Sequence, residues 1–506
     1  MKLLEQIKLY ASNDPDNVAI TSNDDSLTYK ELWQYSDSLA NEIDSKCQGK
    51  DGPILVYGHK NPYMIVCFLA CVKAGRAYCP VDLCMPSTRI HDIMEAADTP
   101  LVLWVEGEMD FPESMDILTL DEIIPLAKAG KNISEQKWLK KEDTYYIIYT
   151  SGSTGKPKGV MISYDDLNNY LDWSIQVGTT GERKASQTFL NQAPFSFDLS
   201  VMDLYTCLAS GGKLVTLSKD IQASYKLLLP KLASSKTNVW VSTPSFADMC
   251  LVDKTFTKEL MPDLELFLFC GETLTLSTAR QLHERFPNAI IVNTYGPTES
   301  TVAVTEVIIE ESHLASEEAL PVGKPKDGTI LEIVDTTGNC VPDGEEGEIN
   351  ILGNTVSTGY FRAPEQTNKA FYTKEIDGVT TRGYHTGDLG FMKDGMLHYL
   401  GRMDLQVKMH GYRIEIGDIE NNLLEINNIS QAVVVPNVKE GKVRNLVAFV
   451  KADKGDKSNL AAGKEIKGEL KKYLPEYMVP KKIVFMDEIP RTPNGKLDRK
   501  YLGGLL

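Results

Sequence analysis

No uninterrupted apolar stretch in the 506 residues approaches the roughly 20 that a membrane-spanning helix requires. Insertion into a bilayer is therefore not expected. The first residues, Met1 to Pro15, carry charges throughout and read as the start of an amphipathic helix, not as a signal peptide. None of the nine cysteines forms a Cys-x-x-Cys pair and the seven histidines are scattered, which argues against a zinc site. Cys67, Cys71 and Cys79 stand among apolar residues and read as reduced core thiols, the usage of a cytoplasmic protein. Basic residues are in deficit, 53 against 70 acidic ones, and the net charge of −17 argues against nonspecific nucleic-acid binding. Internal repeats and low-complexity segments are missing as well.

The most informative stretch present is Tyr149 to Val160, Y-T-S-G-S-T-G-K-P-K-G-V. Gly152 and Gly155 permit positive φ, so that backbone N–H groups converge on an anion; Thr150, Ser151, Ser153, Thr154, Lys156 and Lys158 add donors and charge. Apolar runs flank it, Tyr145–Tyr149 before and Gly159–Ile162 after, and Pro157 keeps Lys156 out of helical geometry. The pattern is strand–loop–strand. It is not a Walker A loop, which needs G-x-x-x-x-G-K-[ST] opening a helix.

Around it, to about residue 400, β-rich runs alternate with helical patterns, as in a large α/β body. Strands are expected at 54–57, 101–105, 213–217, 239–243, 264–269 and 290–294. Helices are expected at 61–73, with Cys67, Ala70 and Cys71 on one face, and at 277–285. After Gly401-Arg402-Met403-Asp404 the order strand, helix (416–426), strands (432–435, 446–450), helix (464–473), strand (482–485) reads as a small separate α/β unit, with Asp404 as hinge. The expected domains are thus 1–403 and 404–506. The segment from Leu405 onward holds 18 lysines and arginines against 13 acids, +5, on a remainder of −22.

Three further patches present nucleotide-binding chemistry. Asn293-Thr294-Tyr295-Gly296-Pro297-Thr298-Glu299 supplies an aromatic face, hydroxyls and a carboxylate suited to Mg²⁺ beside phosphates. Tyr384-His385-Thr386-Gly387-Asp388 offers a carboxylate to ribose hydroxyls, and Pro493 to Arg499 reads as a turn with Lys496 at its tip. Singly each reads as a turn; in this order they read as one site. With Leu27–Leu32, Lys73–Asp82, Gly347-Glu348-Ile349 and Gly401 through Glu420, these patches make the chain resemble, almost end to end, the ANL superfamily of adenylate-forming enzymes. Asn191–Asp203 and Phe267–Glu272 resemble the branch that activates D-alanine for esterification of teichoic acids.

The resemblance implies a large multi-sheet body with a small mobile C-terminal lid, and two half-reactions: D-alanine and ATP give D-alanyl-AMP and pyrophosphate, then a phosphopantetheine thiol displaces AMP. It assigns Thr150, Ser151, Gly152, Ser153, Thr154, Gly155 and Lys158 to the ATP phosphates, and Asn293, Thr294, Tyr295, Gly296, Pro297 and Thr298 to adenine and the α-phosphate. Asp388 goes to ribose with Tyr399 and Arg402 nearby, Glu299 to Mg²⁺, and Lys496 to the substrate carboxylate and AMP phosphate. Asp198 would bind the D-alanine ammonium, with Cys270 and Val302 as pocket walls. The partner implied is an acidic, phosphopantetheinylated D-alanyl carrier protein acting in trans, since the chain stops at Leu506 without a carrier segment; it would dock on the +5 unit. His410 departs from the superfamily pattern, where arginine is frequent.

An acyl-CoA synthetase is disfavoured by Asp198, which a fatty acid would leave unpaired. An adenylation enzyme for another small amino acid stays open. A nucleotide sensor without turnover would not need Lys496, Glu299 and the phosphate loop together. Because Lys496 is expected to stabilise charge only in the first transition state, Lys496→Ala should abolish amino-acid-dependent ATP–pyrophosphate exchange yet leave thioester formation from preformed D-alanyl-AMP largely intact. Near-parental exchange would refute that role.

Overall fold

The computed structural model describes residues 2–23, 25–150, 157–179, 186–403, 405–439, 442–491 and 497–506. Ser151 to Gly155 of the phosphate loop, Asp404 and Lys496 lie outside the described residues. The chain divides into two compact units. The first comprises Met1–Leu83, Ala97–Ile148 and Gly159–Met403. The second gathers Asp404–Leu506 with two stretches from earlier in the chain, Cys84–Ala96 and Tyr149–Lys158. Among the described residues no helix is long and apolar enough to cross a membrane.

The first unit holds a nine-stranded sheet in the order Lys324–Pro325, Thr305–Ile308, Ile290–Tyr295, Leu266–Phe269, Val239–Ser242, Thr188–Asn191, Lys213–Thr216, Val18–Ser22, Asp25–Thr28. The strands from Ile290–Tyr295 to Val18–Ser22 run parallel and the outer pairs antiparallel. Parallel strands covered on both faces read as continuous apolar runs, and Ile54–Tyr57, Val239–Ser242 and Leu266–Phe269 are buried at every position. A six-stranded sheet follows the order Ile117–Thr119, Val102–Trp104, Ile54–Tyr57, Tyr78–Val81, Thr144–Thr150, Lys158–Ser163. Its last two strands stand before and after residues 151–157 in the chain, as expected. A third sheet, antiparallel, comprises Thr329–Val334, Gly347–Gly353, Val379–Lys393, Phe371–Ile376 and Met396–Arg402.

Helix Tyr63–Lys73 differs from its expected form. Residues Met64 to Lys73 are all buried, so the helix has no solvent face. Even Lys73 is enclosed: its ammonium donates to Trp33 O at 3.0 Å and Ser36 Oγ at 2.8 Å and pairs with Asp37 at 2.8 Å. The motif Leu27–Leu32 is a helix start. Thr28 accepts from the Glu31 backbone while the Glu31 carboxylate accepts from Thr28 N, a reciprocal cap on helix Tyr29–Lys46.

In the second unit, hairpin Gln406–Met409/Tyr412–Glu415 turns through His410 and Gly411, both with positive φ (53° and 82°). His410 is therefore the first residue of a two-residue hairpin turn, a position set by backbone conformation. Strands Ile429–Lys439 and Lys442–Ala452 pair antiparallel, and Lys482–Phe485 lies parallel to the latter. The last long helix runs Asn459–Leu470, earlier than expected, because Ser458 caps it by accepting from Ala461 N. The stretch Cys84–Ala96 joins this unit through Thr88, whose hydroxyl donates to Lys472 O at 2.7 Å, and Arg89, 3.7 Å from Asp418. Burial is the main reason the Asp418 carboxyl is pushed up to about 6.

Gly323 joins two sheets of the first unit. Val322 N donates to Leu397 O and Leu397 N to Gly323 O, both at 2.8 Å. Gly323 has φ 101°, and a Cβ there would lie 2.0 Å from Glu306 O. Gly323→Ala should lower stability by about 3 kcal/mol, read as a downward shift of the thermal transition of the first unit. An unshifted transition would show that this approach is not rigid.

Candidate active site

The parallel strands of the nine-stranded sheet deliver their C-terminal ends to one edge, where open α/β sheets bind ligands. Asn293 and Thr294 end such a strand, but their side chains are engaged in the scaffold: Asn293 Nδ2 donates to Pro321 O and Thr294 Oγ1 to Phe269 O, both at 2.8 Å. The next residue makes the central contact. Tyr295 donates its hydroxyl to Asp388 Oδ2 at 2.5 Å, and Arg402 Nη1 donates to Asp388 Oδ1 at 2.9 Å and Thr386 O at 2.6 Å. Asp388 is 1% and Arg402 9% exposed by side chain. Burial first, and then the Asp388 charge, hold the Tyr295 phenol well above its usual range, so it remains a donor. Tyr399 packs on Tyr295 with ring centroids 5.7 Å apart.

Asp388 was expected on a turn. It lies within the fifteen-residue strand Val379–Lys393, directly opposite Arg402 in the ladder. The glycine before it explains the misreading, since Gly387 has φ 67°, a conformation belonging to turns and bulges, and a register irregularity follows between Leu389 and Gly390.

The chain reverses after Thr298 in a strained fashion. Thr301 and Val302 have φ 60° and 70°, and Ala303 N donates back to Thr301 O at 2.8 Å. This closes a γ-turn on Val302 with positive φ, costly for a β-branched residue. Gly296 is required beneath it, because a Cβ would lie 2.5 Å from Ala303 Cα. The turn aims the Val302 carbonyl at Cys270, whose thiol donates to it at 3.7 Å. The two predicted pocket walls are thus in contact, and both are buried.

Asp198 is half-buried at the start of helix Leu199–Ala209. Two tyrosines near it escaped the sequence reading. The hydroxyls of Tyr146 and Tyr170 are buried with no hydrogen-bond partner among the described residues. Burial pushes both phenols far up; the charges of Cys270, Asp198 and Asp203 add to the effect at Tyr170, and those of Tyr78 and Asp198 at Tyr146.

Glu299 is fully buried in the turn Thr298–Ser300, and its Oε1 accepts from Tyr360 OH at 2.8 Å. Among the described residues no group of three or more His, Cys, Asp or Glu side chains converges. A single carboxylate is a donor set that fits Mg²⁺, which takes one or two carboxylates together with substrate phosphates and water. Thr150 ends the strand before residues 151–157, its hydroxyl buried without a partner among the described residues, and Lys158 opens the strand after them.

Residues 7–361 match the family model of the AMP-binding enzyme, and residues 418–496 that of the AMP-binding enzyme C-terminal domain. The chain is 46% identical over 507 residues to a D-alanine–D-alanyl carrier protein ligase of Bacillus licheniformis, covering 99% of both proteins. It is 47% identical over 505 residues to that of Bacillus velezensis, again at 99% of both, and 45% identical over 514 residues to that of Listeria welshimeri, at 99% and 98%. Among solved structures, a nonribosomal peptide synthetase protein containing adenylation and PCP domains superposes with TM-score 0.84 at 23% identity, over 99% of this chain and 84% of that one. A Vibrio cholerae adenylation domain in complex with glycyl-adenosine-5′-phosphate gives 0.81 at 23%, over 100% and 96%. Those structures speak for the fold alone; the curated relatives speak for more. At this identity over its whole length, the chain belongs to the AMP-binding enzymes and, within them, to the family of D-alanine–D-alanyl carrier protein ligases.

Proposed function

We propose that this ligase activates D-alanine with ATP and passes it to the phosphopantetheine thiol of a separate, acidic D-alanyl carrier protein, in the cytoplasm, for D-alanylation of lipoteichoic acid. The observation that carries the reading is full-length identity of 45–47% to ligases of that name. The contact of Cys270 with Val302 and the half-buried acid Asp198 support the reading, as walls and counter-charge for a short side chain beside an ammonium.

In the first half-reaction a D-alanine carboxylate oxygen bonds to the α-phosphorus of ATP and the bond to the β-phosphate oxygen breaks, releasing pyrophosphate. Asp198 holds the ammonium. Asp388, held by Arg402 and Tyr295, takes the ribose hydroxyls, with Tyr399 packed against Tyr295. Asn293 to Thr298 shape the adenine and α-phosphate site, while Thr150 to Gly155 and Lys158 receive the phosphates. Glu299 would hold Mg²⁺, which when bound offsets phosphate charge. Lys496 donates to the carboxylate and α-phosphate oxygens. In the second half-reaction the thiolate sulfur bonds to the carbonyl carbon and AMP leaves with the oxygen. The unit from Asp404 onward serves as the mobile lid, reorienting about Asp404 to withdraw Lys496 and admit the thiol.

ATP–pyrophosphate exchange should be fastest with D-alanine among D-alanine, L-alanine, glycine and serine; equal rates with L-alanine or glycine would overturn the substrate assignment. Asp198→Ala should weaken D-alanine far more than ATP, by about 3–5 kcal/mol in kcat/KM for the amino acid. Cys270→Ala should relax the preference for D- over L-alanine by about 1–3 kcal/mol, and unchanged selectivity would reduce Cys270 to a core thiol.

A further inference from the structure

The mechanism leaves unused a buried network around Lys60. Lys60 follows the buried strand Ile54–Tyr57 and is 2% exposed. Its ammonium donates to Asn191 Oδ1 and to Ala193 O, and lies 4.6 Å from the Phe195 ring centroid. Asn191 Nδ2 in turn donates to Asp203 Oδ1 at 2.7 Å. Asp203 is fully buried, and its Oδ2 has no hydrogen-bond partner among the described residues. Burial pushes the Lys60 amine down to about 8, against the opposing pull of Asp203 and Asp82, and pushes the Asp203 carboxyl far up.

The neighbouring His59 is a strut. Its Nε2 accepts from Lys219 N–H at 3.1 Å, which places the ring proton on Nδ1, 2.6 Å from Asp82 Oδ2. Both ring nitrogens are occupied, so it offers no free base. Lys60 differs because its partners bracket Asp198. Asn191, Ala193 and Phe195 precede that residue, and Asp203 follows it on the helix that Asp198 opens. An ammonium so enclosed is tolerated only where it is fully paired, and moving it would displace every partner at once.

We propose that Lys60 is a positioning residue of the amino-acid site: by gripping the Asn191–Phe195 segment directly and Asp203 through Asn191, it sets where the Asp198 carboxylate stands to receive the substrate ammonium. The proposal rests on the assignment of Asp198 to that ammonium.

Lys60→Met keeps the length of the stem and removes the charge. It should raise the D-alanine KM in pyrophosphate exchange by about tenfold or more, since small misplacements at a reacting site carry penalties of that size. The ATP KM and the kcat at saturating D-alanine should stay near parental values. Asp198→Asn is measured in parallel. Should it leave the D-alanine KM unchanged, the ammonium assignment falls and this proposal with it. If Asp198→Asn is impaired while Lys60→Met has a parental D-alanine KM, only the role of Lys60 is overturned. Loss of kcat alone, or equal rises in both KM values, marks a merely structural lysine and also overturns it. If Lys60→Met does not fold, the double variant Lys60→Met/Asp203→Asn, which leaves no unpaired buried charge, is read by the same criteria.

Discussion

A carboxylate withdrawn from water must be met by donors, and much of the first unit is arranged around meeting that demand at Asp388. Its two oxygens are satisfied from different sheets: Tyr295 comes from the end of a parallel strand in the nine-stranded sheet, and Arg402 from the neighbouring strand of the five-stranded antiparallel sheet. Leaving either oxygen unpaired would expose a buried charge to a cost of several kcal/mol, so the two sheets are held in one relation. The joint at Gly323 and Leu397 serves the same alignment through backbone bonds. The Asp388 carboxylate is thereby held in place from both sheets.

The second organising feature is stored strain. Val302 sits at positive φ in a γ-turn that an unconstrained chain would not choose, and Gly296 is bare to make room for it. The result is directional: the Val302 carbonyl meets the Cys270 thiol. The network of Lys60, Asn191 and Asp203 ties the segment from Asn191 to Ala193 to the helix Leu199–Ala209.

The second unit builds its own core, with Ile414, Ile419, Leu423, Val434, Ala448, Ile466 and Leu470 packed between helices and a three-stranded sheet. An independent core is what a unit needs if it is to change orientation without unfolding. The stretch Cys84–Ala96 clusters with it through Thr88 and Arg89, a grouping of residues far apart in the chain.

What was legible from the sequence was local. The buried parallel strands announced themselves as short apolar runs, and 54–57, 213–216, 239–242 and 266–269 fall where such runs stand, because a strand covered on both faces has no polar alternation to hide it. The grouping of Asp388 with Arg402 and Tyr399 followed from resemblance and not from spacing, and the contact of Tyr295 with Asp388 was not foreseen. The helix expected at 61–73 places Cys67, Ala70 and Cys71 on one face, but only partners far along the chain, Trp33, Ser36 and Asp37, reveal that Lys73 too is a core residue. Asp388 read as a turn residue because Gly387 is a turn former, and only the ladder with Arg402 places it mid-strand. The γ-turn at Val302 and the network of Lys60 left no local mark at all. A single sequence records propensity and period, which are short-range properties; strain and buried charge exist only where distant segments oppose one another, and that was decided by the tertiary structure.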